Sequence, residues 1–352
     1  MRQKIINLKF KNSFFILFFF LFVLFLLFSI IFATCIGSVY IDYEKVCGIL
    51  LNAIGFNIEK TWTSGEENII LFLRFPRVLM ASTVGGMLAI SGVVAQGLFK
   101  NPIVDPYIIG ISSSAGFGTA LSIFLGFSGL LSIFTLPLVS FFFSCSAIFI
   151  IYNLSKTKYH LSMSALLLSG IAISFFFSAL TSFILYFTEE HAHFILIYLM
   201  GSFWGANWTE FFLIFIVFIN GFAILIFYSR DLNAMVLGDS TAQSIGINVE
   251  RSKHVMLLLM TLLSSTTVAF CGSIGFVGLI IPHIMRMLIG SDNRRLLIFS
   301  AFGGSLLLVW ADLISRTILS PLELPVGILT SLLGGPFFIY LIIKKKKSGE
   351  LL

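Results

Sequence analysis

The chain has 352 residues, of which 58% are hydrophobic and 11% charged, with a formal net charge of +6. Soluble domains carry about 25% charged residues, so this composition excludes a water-soluble domain, and a mean hydropathy of +1.04 agrees. It points to an all-α, polytopic membrane protein, because backbone groups in lipid must be satisfied internally and a spanning helix takes about 20 apolar residues.

The first apolar run, 14–36, follows Arg2, Lys4, Lys9 and Lys11 as a signal peptide would. It is too long for such a segment and no A-x-A-like site follows, so it is read as a retained helix. Nor does it show the strand alternation of a membrane barrel. Nine further spans are predicted at 76–98, 107–127, 131–152, 162–187, 209–229, 255–271, 274–290, 296–313 and 325–343. Segments 42–60 and 191–204 read as short surface helices or loops.

About ten spans put both termini on one side. With the termini cytoplasmic, that side holds Arg2, Lys4, Lys9, Lys11, Lys100, Lys156, Lys158, Arg230, Arg251, Lys253, Arg286, Arg294, Arg295 and Lys344–Lys347, which is 17 of the 22 cations. The outer side keeps Lys45, Lys60, Arg74, Arg77 and Arg316. Cations concentrate on the cytoplasmic side of membrane proteins, so this split sets the orientation. The spans 76–187 and 255–343 would then cross in opposite senses, as inverted repeats do.

Near the start of the second span, Arg74 and Arg77 flank Pro76, which sits where a first helical turn tolerates its missing N–H. Gly85, Ala89, Gly92 and Gln96 follow at spacings that form one face of small residues ending in an amide. Such faces let helices approach closely in lipid. Asn101-Pro102 and Asp105-Pro106 then break the chain on the cytoplasmic side. Glu189, Glu190, His191 and His193 cluster on the outer side and read first as a solvated turn, with a weak metal or chelate contact as the alternative.

The longest inner connection, 230–254, has the pattern of two short helices broken at Gly238 and Gly246, with Ser240 as a cap for the second. An amphipathic helix pair of this kind suits a groove on a cytoplasmic partner. In 272–290, Pro282 lies mid-segment and frees a backbone carbonyl, while His283 and Arg286 share a helical face. Polar groups at this depth are functional candidates. Asp312 and Arg316 are four apart at the outer end of the ninth span. Fixed arginines there suit a partner's carboxylates, through charge-assisted bidentate bonds.

Cys35, Cys47, Cys145 and Cys271 form no CxxC pair, and no metal site is expected. The chain has no G-x-x-x-x-G-K-[ST] loop to cradle ATP, no Ser/His/Asp set and no H-E-x-x-H pattern, so no catalytic residue is assigned. A secondary transporter would need intramembrane carboxylates, and the spans offer few.

At these residues the chain resembles the FecCD family of ABC-importer permeases, which move iron-siderophores, haem and cobalamin. The likeness lies in Arg74-x-Pro76-Arg77, Leu88-Ala89-x-Ser91-Gly92 with Gln96, Asn101-Pro102 with Pro106 and Gly110, and Leu166-Leu167-Leu168-x-Gly170. It continues in Met200-Gly201-x-x-Trp204, and in Gly275-Phe276-Val277-Gly278-Leu279-x-x-Pro282-His283-x-x-Arg286. It closes with Ala311-Asp312, Arg316, Leu324-Pro325-Val326-Gly327 and Gly334-x-Pro336, covering roughly 70–345.

The resemblance implies a type II ABC importer permease in a bacterial cytoplasmic membrane. It implies a cytoplasmic segment at 1–13, a ten-helix permease domain at 14–343 and a basic tail at 344–352. It also implies a second permease copy, with the pathway at the dimer interface. Two cytoplasmic ATPase subunits would dock on 230–254, here through Leu237, Gly238, Ser240, Ala242, Ile245 and Gly246. They would use ATP and magnesium, while this chain binds no cofactor. An external binding protein would pair its glutamates with Arg74, Arg77 and Arg316. Cytoplasmic gates would match Asn101 and Ile103, and Met163 and Ser164, where Met replaces a small polar residue. The expected cargo is an iron chelate, ferric siderophore first, with haem or cobalamin as alternatives. No nucleic acid is expected as a partner.

Overall fold

The computed structural model describes residues 2–126, 132–157, 161–188 and 192–348, without the side chains of 2–14, 132–134, 342 and 344–348. Glu189, Glu190 and His191 therefore lie outside the described residues. Among those described, helix is the only regular structure beyond one isolated bridge between Lys156 and Leu161.

The chain opens with α1 (Arg2–Cys35) and the short outer helix α2 (Tyr43–Ala53). The second span is longer than expected. It begins at α3 (Ser64–Asn68), passes through a π-helical segment (Ile69–Arg74) and continues as α4 (Phe75–Leu98). Pro76 does not start this span, because Thr63 does: its side chain accepts from the Glu66 N–H while Glu66 reaches back, a capping box that satisfies two free donors. A 3₁₀ turn (Pro106–Ile109) leads into α5 (Ile111–Phe124), then α6 (Ser132–Ser155) and α7 (Met163–Phe187). The outer helix α8 (Ala192–Leu199) precedes α9 (Trp208–Leu237). The short α10 (Asp239–Ser244) is followed by α11 (Val249–Cys271), α12 (Val277–Ile289), α13 (Asn293–Thr317) and α14 (Val326–Ser348).

Seven helical spans are long and apolar enough to cross a membrane, and three shorter apolar ones, in α5, α12 and α14, match the remaining predicted spans. The connection expected at 230–254 is shorter in fact, because α9 runs on to Leu237 and α11 starts at Val249. Arg230, Asp231 and Asn233 do not end α9, since a helix leaving the bilayer meets water and can carry charge. It ends at Gly238, whose φ of 142° no ordinary side chain adopts readily. Gly238 also occupies the N-cap of α10, so Ser240 lies inside that helix rather than capping it. The cap of α11 is Asn248, whose side chain accepts from the Arg251 N–H at 3.0 Å.

The core is built around α4, which is buried from Met80 to Leu98 and packs against α9, α11, α12 and α13. A helix buried on all sides must be apolar and small. The predicted small face is what makes its closest crossings. A methyl on Gly85 would sit 2.1 Å from the Gly304 carbonyl of α13, and one on Gly92 would sit 1.8 Å from the Gly278 carbonyl of α12. In contrast, α1 stays at the rim, with Leu17, Phe20 and Leu24 exposed.

Candidate functional site

Three groups of predicted residues sit at three depths of the bundle. Where the last turn of α4 crosses α12, Pro282 has no N–H to give the Gly278 carbonyl, its partner in an unbroken helix. Gln96 of α4 supplies the missing donor. Its Nε2 donates to Gly278 O at 3.4 Å and to Leu279 O at 3.2 Å, while its Oε1 accepts from Arg286 Nη1 at 2.9 Å. Gln96 is 3% exposed, so its bonds to the two carbonyls are made away from water, while Arg286 is half-buried. One amide thus joins the proline break and the arginine into one unit. His283 stands outside it, its ring edge-on to Phe337 at 6.2 Å.

At the outer end, Arg74, Arg77, Asp312 and Arg316 converge, although they come from the π-helical segment, α4 and α13. Asp312 is fully buried and bridges two arginines: Arg77 at 2.9 Å and Arg316 at 3.4 Å. The first is a good hydrogen bond, whereas the second is an ion pair without hydrogen-bond alignment. Arg77 also pairs with Glu323 at 2.8 Å.

Arg74 and Arg316 are 6% and 4% exposed, which departs from the expectation of three outward-facing arginines. The cause is the end of α1. The last carbonyls of a helix lack intrahelical partners and carry its negative pole. Arg316 donates to Ala33 O, and Arg74 to Thr34 O at 3.4 Å, Cys35 O at 3.1 Å and Val39 O. Of the three, Arg77 and its partner Glu323 form the more accessible edge. Glu323 was not singled out in the sequence, although it directly precedes the Leu324-Pro325-Val326-Gly327 motif.

At the cytoplasmic end, α10 is tied down from two sides. Asp239 pairs with Lys100, in the turn after α4, at 2.9 Å and with Lys253 of α11 at 2.5 Å. Partial burial works against its carboxylate, but the two ammonium groups outweigh this and hold its pKa below the usual value. Ala242 is fully buried and seats α10, while Leu237 and Ile245 on either side are 78% and 66% exposed. Gly246, at φ 87°, turns the chain towards α11. None of Lys100, Asp239 and Lys253 was singled out for this link, because nothing in their spacing shows that α4 and α11 end side by side.

Asn101 and Ile103 lie in that same turn after α4. Asn101 Oδ1 accepts from the Ile103 N–H at 3.1 Å, and both residues are half-buried. Met163 and Ser164 open α7, with Met163 packed against the core and Ser164 exposed. No hydrogen bond joins the two pairs among the described residues. Nor do the described His, Cys, Asp and Glu residues form a group of three able to hold a metal ion.

Comparison with known proteins places this arrangement. A model of the FecCD transport family matches residues 24–344. The hemin transport system permease protein HmuU of Yersinia pestis is 38% identical over 84% of this chain and 91% of its own. The molybdate import system permease protein MolB of Haemophilus influenzae is 39% identical over 81% and 83%. A solved metal-chelate type ABC transporter in an inward-facing conformation superposes with a TM-score of 0.79 at 33% identity, covering 93% of this chain and 99% of that one.

Proposed function

The chain belongs to the FecCD transport family and is a multi-pass permease of metal-chelate ABC importers, and from that premise we propose that its cargo is an iron chelate. Ferric siderophore is the first choice, and haem or cobalamin the alternative within the family. Relatives named for hemin and for molybdate are 38% and 39% identical, so overall identity does not choose the cargo. In this reading the chain sits in a bacterial inner membrane as one of two permease copies and catalyses nothing. Two cytoplasmic ATPase subunits consume ATP and magnesium, and an external binding protein delivers the chelate.

The observation that carries the reading is α10. Leu237, which closes α9, and Ile245, just after α10, present two large exposed apolar side chains on either side of α10, and exposed apolar groups suit a partner's groove. The Asp239 pairs then connect that surface to the turn holding Asn101 and Ile103. Movement of α10 by an ATPase subunit is thereby passed to the proposed gate, with Met163 and Ser164 as its other half. Outside, the arginine cluster receives the binding protein, with Arg77 as the leading contact.

Two measurements test this. Changing Leu237 and Ile245 together to Asp should abolish co-purification of the ATPase subunits while leaving the chain in the membrane. Normal co-purification overturns the docking assignment. Uptake of radiolabelled ferric siderophore, hemin and cobalamin by cells carrying the whole transporter should show iron chelate entry dependent on ATP. Entry of neither iron chelate, or entry that survives loss of the ATPase subunits, refutes the assigned cargo or energy source respectively.

A further inference from the structure

A cavity of about 620 Å³ lies between α6, α7 and α11, apart from the three groups described above. Phe141, Cys145, Ile148, Leu257 and Leu262 form much of its wall, which is almost wholly apolar. Phe149 and Leu258, from the two facing helices α6 and α11, also line it and are 69% and 66% exposed. It therefore opens sideways, at the perimeter where lipid stands.

Its cytoplasmic end is polar. Tyr152 and His254 share a hydrogen bond across the gap between α6 and α11. His254 Nδ1 faces the Glu250 carbonyl, so in the neutral ring Nδ1 donates there and Nε2 accepts from the tyrosine. Beyond this pair stand exposed cations from both walls. Lys156 lies 5.9 Å from the centre of the Tyr152 ring. Arg251 is three residues before His254 and seven before Leu258, on the helical face that lines the cavity. Neither cation is in an ion pair among the described residues. The Glu250 carboxylate nearby is engaged by the Leu161 N–H at 3.3 Å and by Lys253 at 3.9 Å.

We propose that this cavity binds one anionic phospholipid of the inner leaflet, with an acyl chain inside and its phosphate held by Lys156 and Arg251. Basic clefts between spanning helices on the cytoplasmic side select acidic headgroups. A volume of this size is that of a small-molecule site, and its apolar wall matches hydrocarbon. A second copy of the chain would bring the same cations against the lip. The cargo would find almost no polar partner there. Because α11 begins beside α10, the bound lipid braces the base of the helix that carries Lys253.

Native mass spectrometry of the full-length purified chain tests this, with palmitoyl-oleoyl phosphatidylglycerol and phosphatidylcholine titrated separately. One phosphatidylglycerol should bind, with roughly thirtyfold preference over phosphatidylcholine for two surface cations. Lys156→Gln with Arg251→Gln changes only exposed side chains and should erase the preference, while Thr261→Trp should obstruct the cavity and reduce both lipids. Equal binding of the two lipids, or a preference that survives the double glutamine variant, overturns the proposal. So does a Thr261→Trp protein that keeps its lipid but changes oligomeric state, which would assign the cavity to a second copy.

Discussion

At the scale of single residues, Gln96 and Pro282 are best understood as one device. The proline orphans a carbonyl in a dry crossing and the amide returns a donor to it. Replacing Gln96 by Leu should cost about 1–3 kcal/mol, the usual penalty for leaving a buried polar group unmatched. Pro282→Ala restores an N–H to Gly278 O, so much of that cost should disappear in the double variant. Thermal unfolding in detergent for the four proteins gives the coupling directly. Additive effects mean that the amide serves Arg286 and not the break. The sequence showed Gln96 on a small-residue face and Pro282 as a breaker. It could not show that they meet, because the register between α4 and α12 is set by the contact of Gly92 with Gly278.

At the scale of elements, the outer arginine cluster changes meaning once α1 is in place. Charge counting placed Arg74, Arg77 and Arg316 among five outer cations, as the three arginines against the trend. It assumed that they face outward, whereas two of them cover the bare end of α1. The last carbonyls of a helix make no signal in a hydropathy reading, and neither does the partner that covers them. Asp312 holds the cluster together, and Asp312→Asn keeps its shape while removing the charge. Two poorly hydrated guanidiniums would then repel each other, and breaking such a buried network costs roughly 3–5 kcal/mol. The expected outcome is a large drop in melting temperature. An unchanged melting temperature would mean that Glu323 and the α1 carbonyls suffice. The span limits were legible to within a turn or so where Gly ended them, as at Cys271, or where acidic residues follow, as at Phe187. They failed where charged helix ran on into water, as in α9, or where a capping box began the span early, as at Thr63.

At the scale of the whole molecule, Asp239 joins the turn after α4 to the base of α11, with α10 between them. Asp239→Asn should lower thermal stability only modestly, on the order of 1 kcal/mol for a partly exposed group. It should weaken transport much more, leaving ATPase turnover high while uptake falls. A parallel fall in both would remove the link between α10 and the gate. The carboxylate is held below its ordinary value, so its stabilising effect is full above that value and is lost as pH falls through the folded one. The gap in melting temperature between wild type and Asp239→Asn should therefore be constant near neutrality and close below about pH 4. The helical membrane class was legible because it rests on composition, and the breaks at Gly238 and Gly246 because they rest on punctuation. This link was not, because it depends on two helices ending side by side.

The covering of α1 also orders the birth of the protein in time. During synthesis α1 enters the membrane first, yet the group that caps Ala33 lies 283 residues later in the chain. Until α13 has been made and inserted, the outer end of α1 has only Arg74 to turn to. A nascent chain stopped short of Arg316 would thus carry a half-finished helix end at the outer surface of the membrane. A product truncated before Arg316 would leave Ala33 O without that donor, whereas any chain carrying the whole of α13 could conceal it.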